Sequence, residues 1–265
     1  MMQQVDLQLN LPSEVKLNSS MGSIFHGVLM EIVGQDTAAW LHEQQQNRPF
    51  NQCVFYDKEL KKSLWRITTL TEEAGYKIMQ PVIASLGKEF FLKQKGYSFC
   101  LDSLVAEKTQ SYQDLADKIF LDEGIPLGGN IKFLTAASFK RDGEYLVMPE
   151  LYLIFQSLLN KWNTFSPQNK LLEKDLEYTL AKCSKITKYS LHSQPFSLER
   201  SVITGFKGEI QLKFRANEMI RRIIALLLSY AQFAGVGIKT ALGMGGLEAN
   251  YTSSKTKNTA ASHED

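Results

Sequence analysis

The stretch GVGIKTALGMGG, Gly235 to Gly246, is the part of the chain best suited to holding a reactive group. Five glycines and one lysine share twelve positions there, directly after the most apolar helix-like run of the chain. Bare backbone beside a cation suits an anion, because successive amides and an ammonium can surround a phosphate. A P-loop would read GxxxxGK[ST] between a strand and the helix it opens. Here Ile238 precedes Lys239, Phe233 stands in place of the first glycine, and the stretch follows a helix instead of opening one. The same context argues against a Rossmann GxGxxG, so nucleotide binding through GIKT is disfavoured. A helix C-cap accounts for Gly235 and Gly237. It does not account for Gly243, Gly245 and Gly246, which come after the helix has ended. Glycines there let backbone pass close to a bulky ligand and expose N–H groups, so Lys239, Thr240 and the five glycines read as a surface for phosphates or an RNA backbone.

Bulk composition neither adds to nor removes from that reading. The net charge of +2 is too mild to declare a nucleic-acid binder, so a polyanion site must come from local clustering. Cys53, Cys100 and Cys183 lie far apart, odd in number and without CxxC spacing, which gives neither a metal site nor a disulfide framework and suits a reducing cytoplasm. No metal or cofactor is expected. The N-terminus alternates polar and apolar residues and reads as a strand, not a secretory signal. The apolar run Ile223 to Ile238 falls short of the roughly 20 residues of a membrane span and contains Gln232 and glycines, so it reads as a buried helix with no membrane role.

These residues need elements to position them, and 265 residues are enough for two medium domains. Val5, Leu7, Leu9 and Leu11 alternate as a first strand ended by Pro12. Ile24, Val28, Leu29, Ile32 and Val33 form a helical stripe; after GQD a second helical piece runs through TAAWLHEQQQ, with Asp36 as N-cap and Pro49 closing it. QCVFYD and SLWRITTLT read as strands, the segment from EEAG as partly helical, and YSFCLDSLVAEKTQ as a strand. DEGIPLGGN carries turn residues and reads as a linker. The order then repeats: a strand-like IKFLTAASFKRDGEYLVM, a helix opened by Pro149, a strand in AKCSKITKYSLHS, a hairpin or one long bulged strand in ERSVITGFKGEIQLKF, a strong helix in ANEMIRRIIALLLSYAQFA, and a last strand in GLEANY. The expectation is an α+β protein of two tandem ferredoxin-like (βαββαβ) domains, 1–122 and 123–250, with a disordered tail 251–265.

With the glycine stretch, its helix and the upstream GFKGEIQLKF in place, the chain resembles the CRISPR-associated endoribonucleases that process precursor CRISPR RNA. These are RAMP-type proteins of two ferredoxin-like domains with a C-terminal glycine-rich loop. FHGVLMEI and AAWLHEQQQNRPF, within Phe25 to Phe50, resemble the family's first helical region, which ends in Leu-His. The middle of the chain, roughly residues 76–187, supports the resemblance only through the order of its elements.

The resemblance implies metal-independent cleavage by attack of a ribose 2'-OH on the adjacent phosphate, leaving a 2',3'-cyclic phosphate and a 5'-OH. Such chemistry needs a base, an acid and positive charge near the phosphate. Histidine suits either proton role, with an unperturbed pKa of about 6.5. His42, beside Leu41, matches the family's catalytic histidine; the bland alternative is a helix-end histidine meeting the helix dipole. His26, sixteen positions upstream and on the side of its helix away from the apolar stripe, falls where members can carry a second catalytic side chain such as tyrosine. Arg48, six positions after His42, falls where a member can carry lysine; as a guanidinium it can stabilise phosphate charge but not give up a proton. His192 and His263 are weaker candidates.

Lys207, Lys213, Arg215, Arg221, Arg222 and Lys239 cluster along the GFKG segment, the last helix and the glycine stretch, where they could meet several phosphates. Trp40, Trp65 and Trp162 could stack bases, although aromatics beside apolar stripes are usually core. The implied partners are CRISPR repeat RNA and, beyond it, subunits of an effector complex; the chain itself would be a monomer or homodimer. The rival reading is a RAMP subunit that binds guide RNA in an effector complex without cutting it.

Overall fold

The computed structural model of the chain describes residues 1–44, 47–198 and 201–254. The alternation at the N-terminus makes β1 (Met2–Asn10), and α1 (Gly22–Glu43) follows. The break read at GQD is a kink: Gly34 has φ 79° and ψ 171°, which interrupts the helix between its two pieces. β2 (Phe50–Asp57) and β3 (Lys62–Thr69) come next, and then a continuous helical run of α2 (Glu72–Ala74), a π turn (Gly75–Met79) and α3 (Gln80–Ile83). β4 (Glu89–Leu92) and β5 (Tyr97–Gln110) complete an antiparallel sheet of order β2-β3-β1-β5-β4. Without the edge strand β4 this is the ferredoxin-like order. Val5, Leu7, Phe25, Leu29, Trp65 and Ile67 fill its core.

α4 (Tyr112–Phe120) leads into the second half: β6 (Pro126–Ala137), the small hairpin β7 (Lys140–Arg141) and β8 (Glu144–Tyr145), α5 (Leu151–Phe165), α6 (Leu176–Cys183), β9 (Ser184–Ser197), β10 (Val202–Phe214), α7 (Glu218–Ala234) and β11 (Leu247–Ser253). The order β11-β6-β10-β9 repeats the ferredoxin-like arrangement, so the fold is α+β with two tandem copies. The second core is built on α7 and α5, and it draws in Tyr112, Leu115 and Ile119 of α4. No helix among the described residues is long and apolar enough to cross a membrane.

Several elements depart from the sequence reading. β6 starts at Pro126, inside the stretch read as a linker. Its Gly128 serves close strand packing and not a turn: a Cβ there would lie 2.4 Å from the Leu212 carbonyl oxygen of the neighbouring β10. Pro149 stands one residue before Glu150, the N-cap of α5, so the helix opens at Leu151. Of the two alternatives for the GFKG segment the bulged strand is the one formed: β10 runs unbroken over Val202–Phe214, with a register shift between Phe206 and Gly208 where it pairs with β6. The tail boundary moves too, because Tyr251 and Thr252 still pair with Gly129 and Gly128; residues 255–265, with His263, lie outside the described residues. β4, α4 and α6 have no counterpart in the sequence reading, β4 being only four residues long and α4 and α6 having about two turns each to carry a period, and the end of the segment read as strand-like forms the short β7–β8 hairpin.

Candidate active site at the domain seam

The two sheets meet along β2, where the sequence places two adjacent amides, Asn51 and Gln52, in a buried strand. Gln52 is fully buried, and its side chain is a junction. Nε2 donates to the Gly22 carbonyl at the start of α1 (2.8 Å) and to the Ala241 carbonyl in the glycine stretch (3.2 Å), while Oε1 accepts from Trp65 Nε1 (2.9 Å). Such a buried amide costs stability unless its donors and acceptors are met, and here one side chain ties three segments from both domains.

The C-terminus of α7 is tied to the same seam. A helix leaves its last carbonyls without intrahelical partners. Phe233 O accepts from Asn51 Nδ2 and from Thr68 Oγ1 (2.6 Å), both from the N-terminal sheet. Lys161 of α5 reaches Ala234 O (2.6 Å), Gly235 O (3.4 Å) and Thr240 Oγ1 (3.1 Å). The cation thus sits where the helix dipole favours positive charge, but burial pushes its pKa down to about 7.

Against this frame the structure brings together His26, His42 and Arg48. His26, in the first piece of α1, is half-buried, with its ring stacked on Phe50 (centroids 6.1 Å apart). Its Nδ1 is buried without a hydrogen-bond partner among the described residues. Burial and then the nearby charge of Arg48 push its pKa down to about 4; the Ala241 backbone opposes that shift by hydrogen bonding, and His42 adds to it. Val28, Leu29 and Val33 of the expected stripe are buried with Phe25, and Ile24 and Ile32 pack partly buried against the same core; His26, off that stripe, is half-buried. His42 ends α1 and is exposed; Arg48 is half-buried just before β2.

The glycine stretch is corrected more fundamentally. Its five glycine amides are already engaged within the protein: Gly235 N donates to Ala231 O, Gly237 N to Ser157 Oγ, Gly243 N to Thr240 O, Gly245 N to Ala136 O and Gly246 N to Thr135 Oγ1. Gly235, Gly243, Gly245 and Gly246 are buried. Gly245 has φ 65°, and a Cβ on it would lie 1.9 Å from the Val236 carbonyl oxygen. The glycines therefore serve close packing at the seam and not an exposed nest of N–H groups. Thr240 is buried under Lys161, whereas Lys239 is exposed, with φ 55°, at the start of the 3-10 turn Thr240–Leu242.

The basic residues divide in the same way. Arg222 is buried and spent on structure: its guanidinium donates to the carbonyls of Ile119 (2.5 Å) and Asp122 (2.8 Å) and pairs with Glu218 (2.7 Å). That contradicts its reading as an RNA contact. Arg221 is half-buried, with Nε donating to Ala216 O. Lys207 pairs across the strand from His192, and both line a 460 Å³ cleft between the sheets with Tyr56, Lys58 and Lys132; burial and then Lys58 lower its pKa. Lys213 and Arg215 are exposed. Trp65 and Trp162 are core, and Trp40 carries Lys77 Nζ 5.2 Å from its ring centre.

Asn51, Gln52 and Lys161 escaped the sequence reading. Their signals were present: two amides inside the apolar run FNQCVFYD, and a lysine three positions after Leu158 on the core stripe of α5.

Comparison with known proteins follows the same outline. Residues 131–247 match the family model described as CRISPR-associated endoribonuclease Cas6. A CRISPR-associated endoribonuclease Cas6 of Streptococcus thermophilus is 32% identical over 227 residues, covering 84% of this chain and 89% of that protein. One of Mycobacterium tuberculosis is 28% identical over 241 residues, covering 91% of this chain and 75% of that protein. Among solved structures, a Cas6 product complex has a TM-score of 0.75 at 22% identity, with 94% of this chain and 100% of that chain covered. A Thermus thermophilus Cas6 has a TM-score of 0.68 at 22% identity, with 94% and 98% covered.

Proposed function

The chain belongs to the CRISPR-associated endoribonuclease Cas6 family, and from that premise we propose that it cuts CRISPR repeat RNA at the seam occupied by His42, His26 and Arg48. It is an endoribonuclease of CRISPR RNA processing, and repeat RNA is its substrate. The finer reading concerns how the cut is made. What supports it is that His26, next to the Ala241 backbone, feels the charges of both Arg48 and His42.

In this reading the 2'-oxygen next to the scissile phosphate attacks phosphorus as its proton passes to a base. The bond from phosphorus to the 5'-oxygen breaks, and an acid returns a proton to that oxygen. The products are a 2',3'-cyclic phosphate and a 5'-OH. His42, exposed at the end of α1, is the group placed to exchange a proton with RNA. His26 stays neutral at pH 7 because its pKa lies near 4, so it serves as an acceptor or orienting group and does not hold a proton in reserve. Arg48 keeps its charge throughout and favours the dianionic phosphorane. Lys239, Lys207 and Arg221 supply phosphate contacts around the cut. The glycines act indirectly, by holding Ala241 and Lys239 in place. Effector-complex subunits would receive the product, with the protein acting as a monomer or homodimer.

The test is incubation of purified protein with end-labelled repeat RNA in EDTA. A single cut with 2',3'-cyclic phosphate ends supports this reading. Tight binding with intact RNA, in EDTA and in magnesium alike, would replace it with the non-cleaving RAMP subunit.

A further inference from the structure

We propose that Lys161 is a positioning residue for the cleavage site, holding the glycine stretch so that the Ala241 carbonyl meets His26. The proposal rests on the preceding reading of that site. Lys161 lies on α5, which carries none of the histidines, and touches neither His26 nor Arg48 in any described contact. Its ammonium has three partners, the carbonyls of Ala234 and Gly235 and the hydroxyl of Thr240, and it forms no ion pair among the described residues.

Those partners bracket the turn. Ala234 and Gly235 end α7, and Thr240 begins the 3-10 turn whose next residue is Ala241. One cation therefore clamps both ends of the segment 235–240. Gln52 holds the Ala241 carbonyl from the opposite side, and Gly243 abuts Gly22 at the start of α1, four residues before His26. With its entrance and exit fixed, the turn has one position for the Ala241 carbonyl, which Gln52 ties to the Gly22 carbonyl of the same helix that carries His26. A buried lysine is a demanding way to fill this space, since desolvation opposes its charge; methionine would fill it more cheaply if packing were the only need.

The experiment compares wild type with Lys161→Met and with Ile154→Ala, a core truncation on the same helix. Single-turnover cleavage, repeat-RNA affinity and the NMR titration of the His26 ring are measured at a temperature where all three proteins are folded. Small displacements of a catalytic frame can cost about 100-fold in rate. Lys161→Met is therefore expected to lose roughly 10- to 100-fold in single-turnover rate, with RNA affinity within about 3-fold of wild type, and to shift the His26 titration midpoint. Ile154→Ala, with a comparable loss of Tm, is expected to keep the wild-type rate and midpoint. Should Lys161→Met not fold, Thr240→Val removes one partner of the clamp and is expected to shift the same midpoint. A wild-type rate and midpoint in the folded clamp variant would overturn the proposal, while wild-type cleavage would leave the reading of the site intact. Absence of cleavage in wild type would count against that reading instead, and the His26 midpoint would still decide the role of Lys161.

Discussion

The imidazole of His26 lies parallel to the ring of Phe50, with centroids 6.1 Å and planes 8° apart. Burial of the imidazole and then the positive charge of Arg48 disfavour the imidazolium. Phe50 opens β2, the strand that also presents Asn51 and Gln52 to the glycine stretch. The start of β2 thus meets both the imidazole of His26 and the seam behind it.

The first prediction follows from that relationship. Between about pH 6.5 and 4 the unfolded chain binds more protons at His26 than the folded chain, so stability from this group is present above pH 6.5 and lost as pH falls through that window. Relative to His26→Phe, which cannot titrate, wild-type Tm should fall by an extra roughly 3 °C per pH unit there. Calorimetry from pH 7 to 4 tests this. Parallel curves for the two proteins would contradict it.

His42 is exposed, so its removal leaves no hole in the core. His42→Ala should lower the single-turnover cleavage rate by about 10²- to 10⁴-fold, the usual contribution of a positioned proton-transfer group, with RNA affinity changed little. Rapid-quench kinetics with filter binding would measure both. A near-normal rate would assign the proton transfer to another group.

Gly245 tests the packing role of the glycines. Because its φ is 65° and Val236 blocks a Cβ, Gly245→Ala should destabilise the protein by more than about 2 kcal/mol, read as a loss of Tm. An unchanged Tm would return the glycine stretch to the role of a ligand-facing loop.

Lys239 and Arg222 should separate cleanly. Lys239→Ala should weaken RNA binding and reduce the salt-dependence slope by about one phosphate contact, with Tm unchanged. Arg222→Ala leaves the Ile119 and Asp122 carbonyls and Glu218 without their partner, and should lower Tm while leaving the salt slope as it is. A salt-slope change in Arg222→Ala would show that its guanidinium reaches RNA after all.

The long periodic elements were legible in the sequence: β5 over Tyr97–Gln110, α7, and the two-piece α1 with its break at Gly34. The glycine stretch was legible as a special backbone but not in its purpose. Close packing and ligand approach both demand residues without a Cβ, and only the tertiary partners of Gly243 and Gly245 separate them. Pro126–Asn130 misled for the same reason, since its glycines sit between two strands and not in a turn. His26 and His42 were singled out through the family resemblance alone. Gln52 and Lys161 were not, because a buried polar residue shows its role only once the carbonyls that receive it are in place.

In the proposed reaction the 2'-oxygen beside the scissile phosphate is the nucleophile. The most direct measurement is cleavage, in EDTA, of two otherwise identical labelled repeat RNAs, one carrying a single deoxy substitution at that 2' position. The all-ribose RNA should be cut once to a 2',3'-cyclic phosphate and a 5'-OH, and the deoxy RNA should be bound with similar affinity and left intact. Cutting of the deoxy RNA at the same phosphate would contradict it.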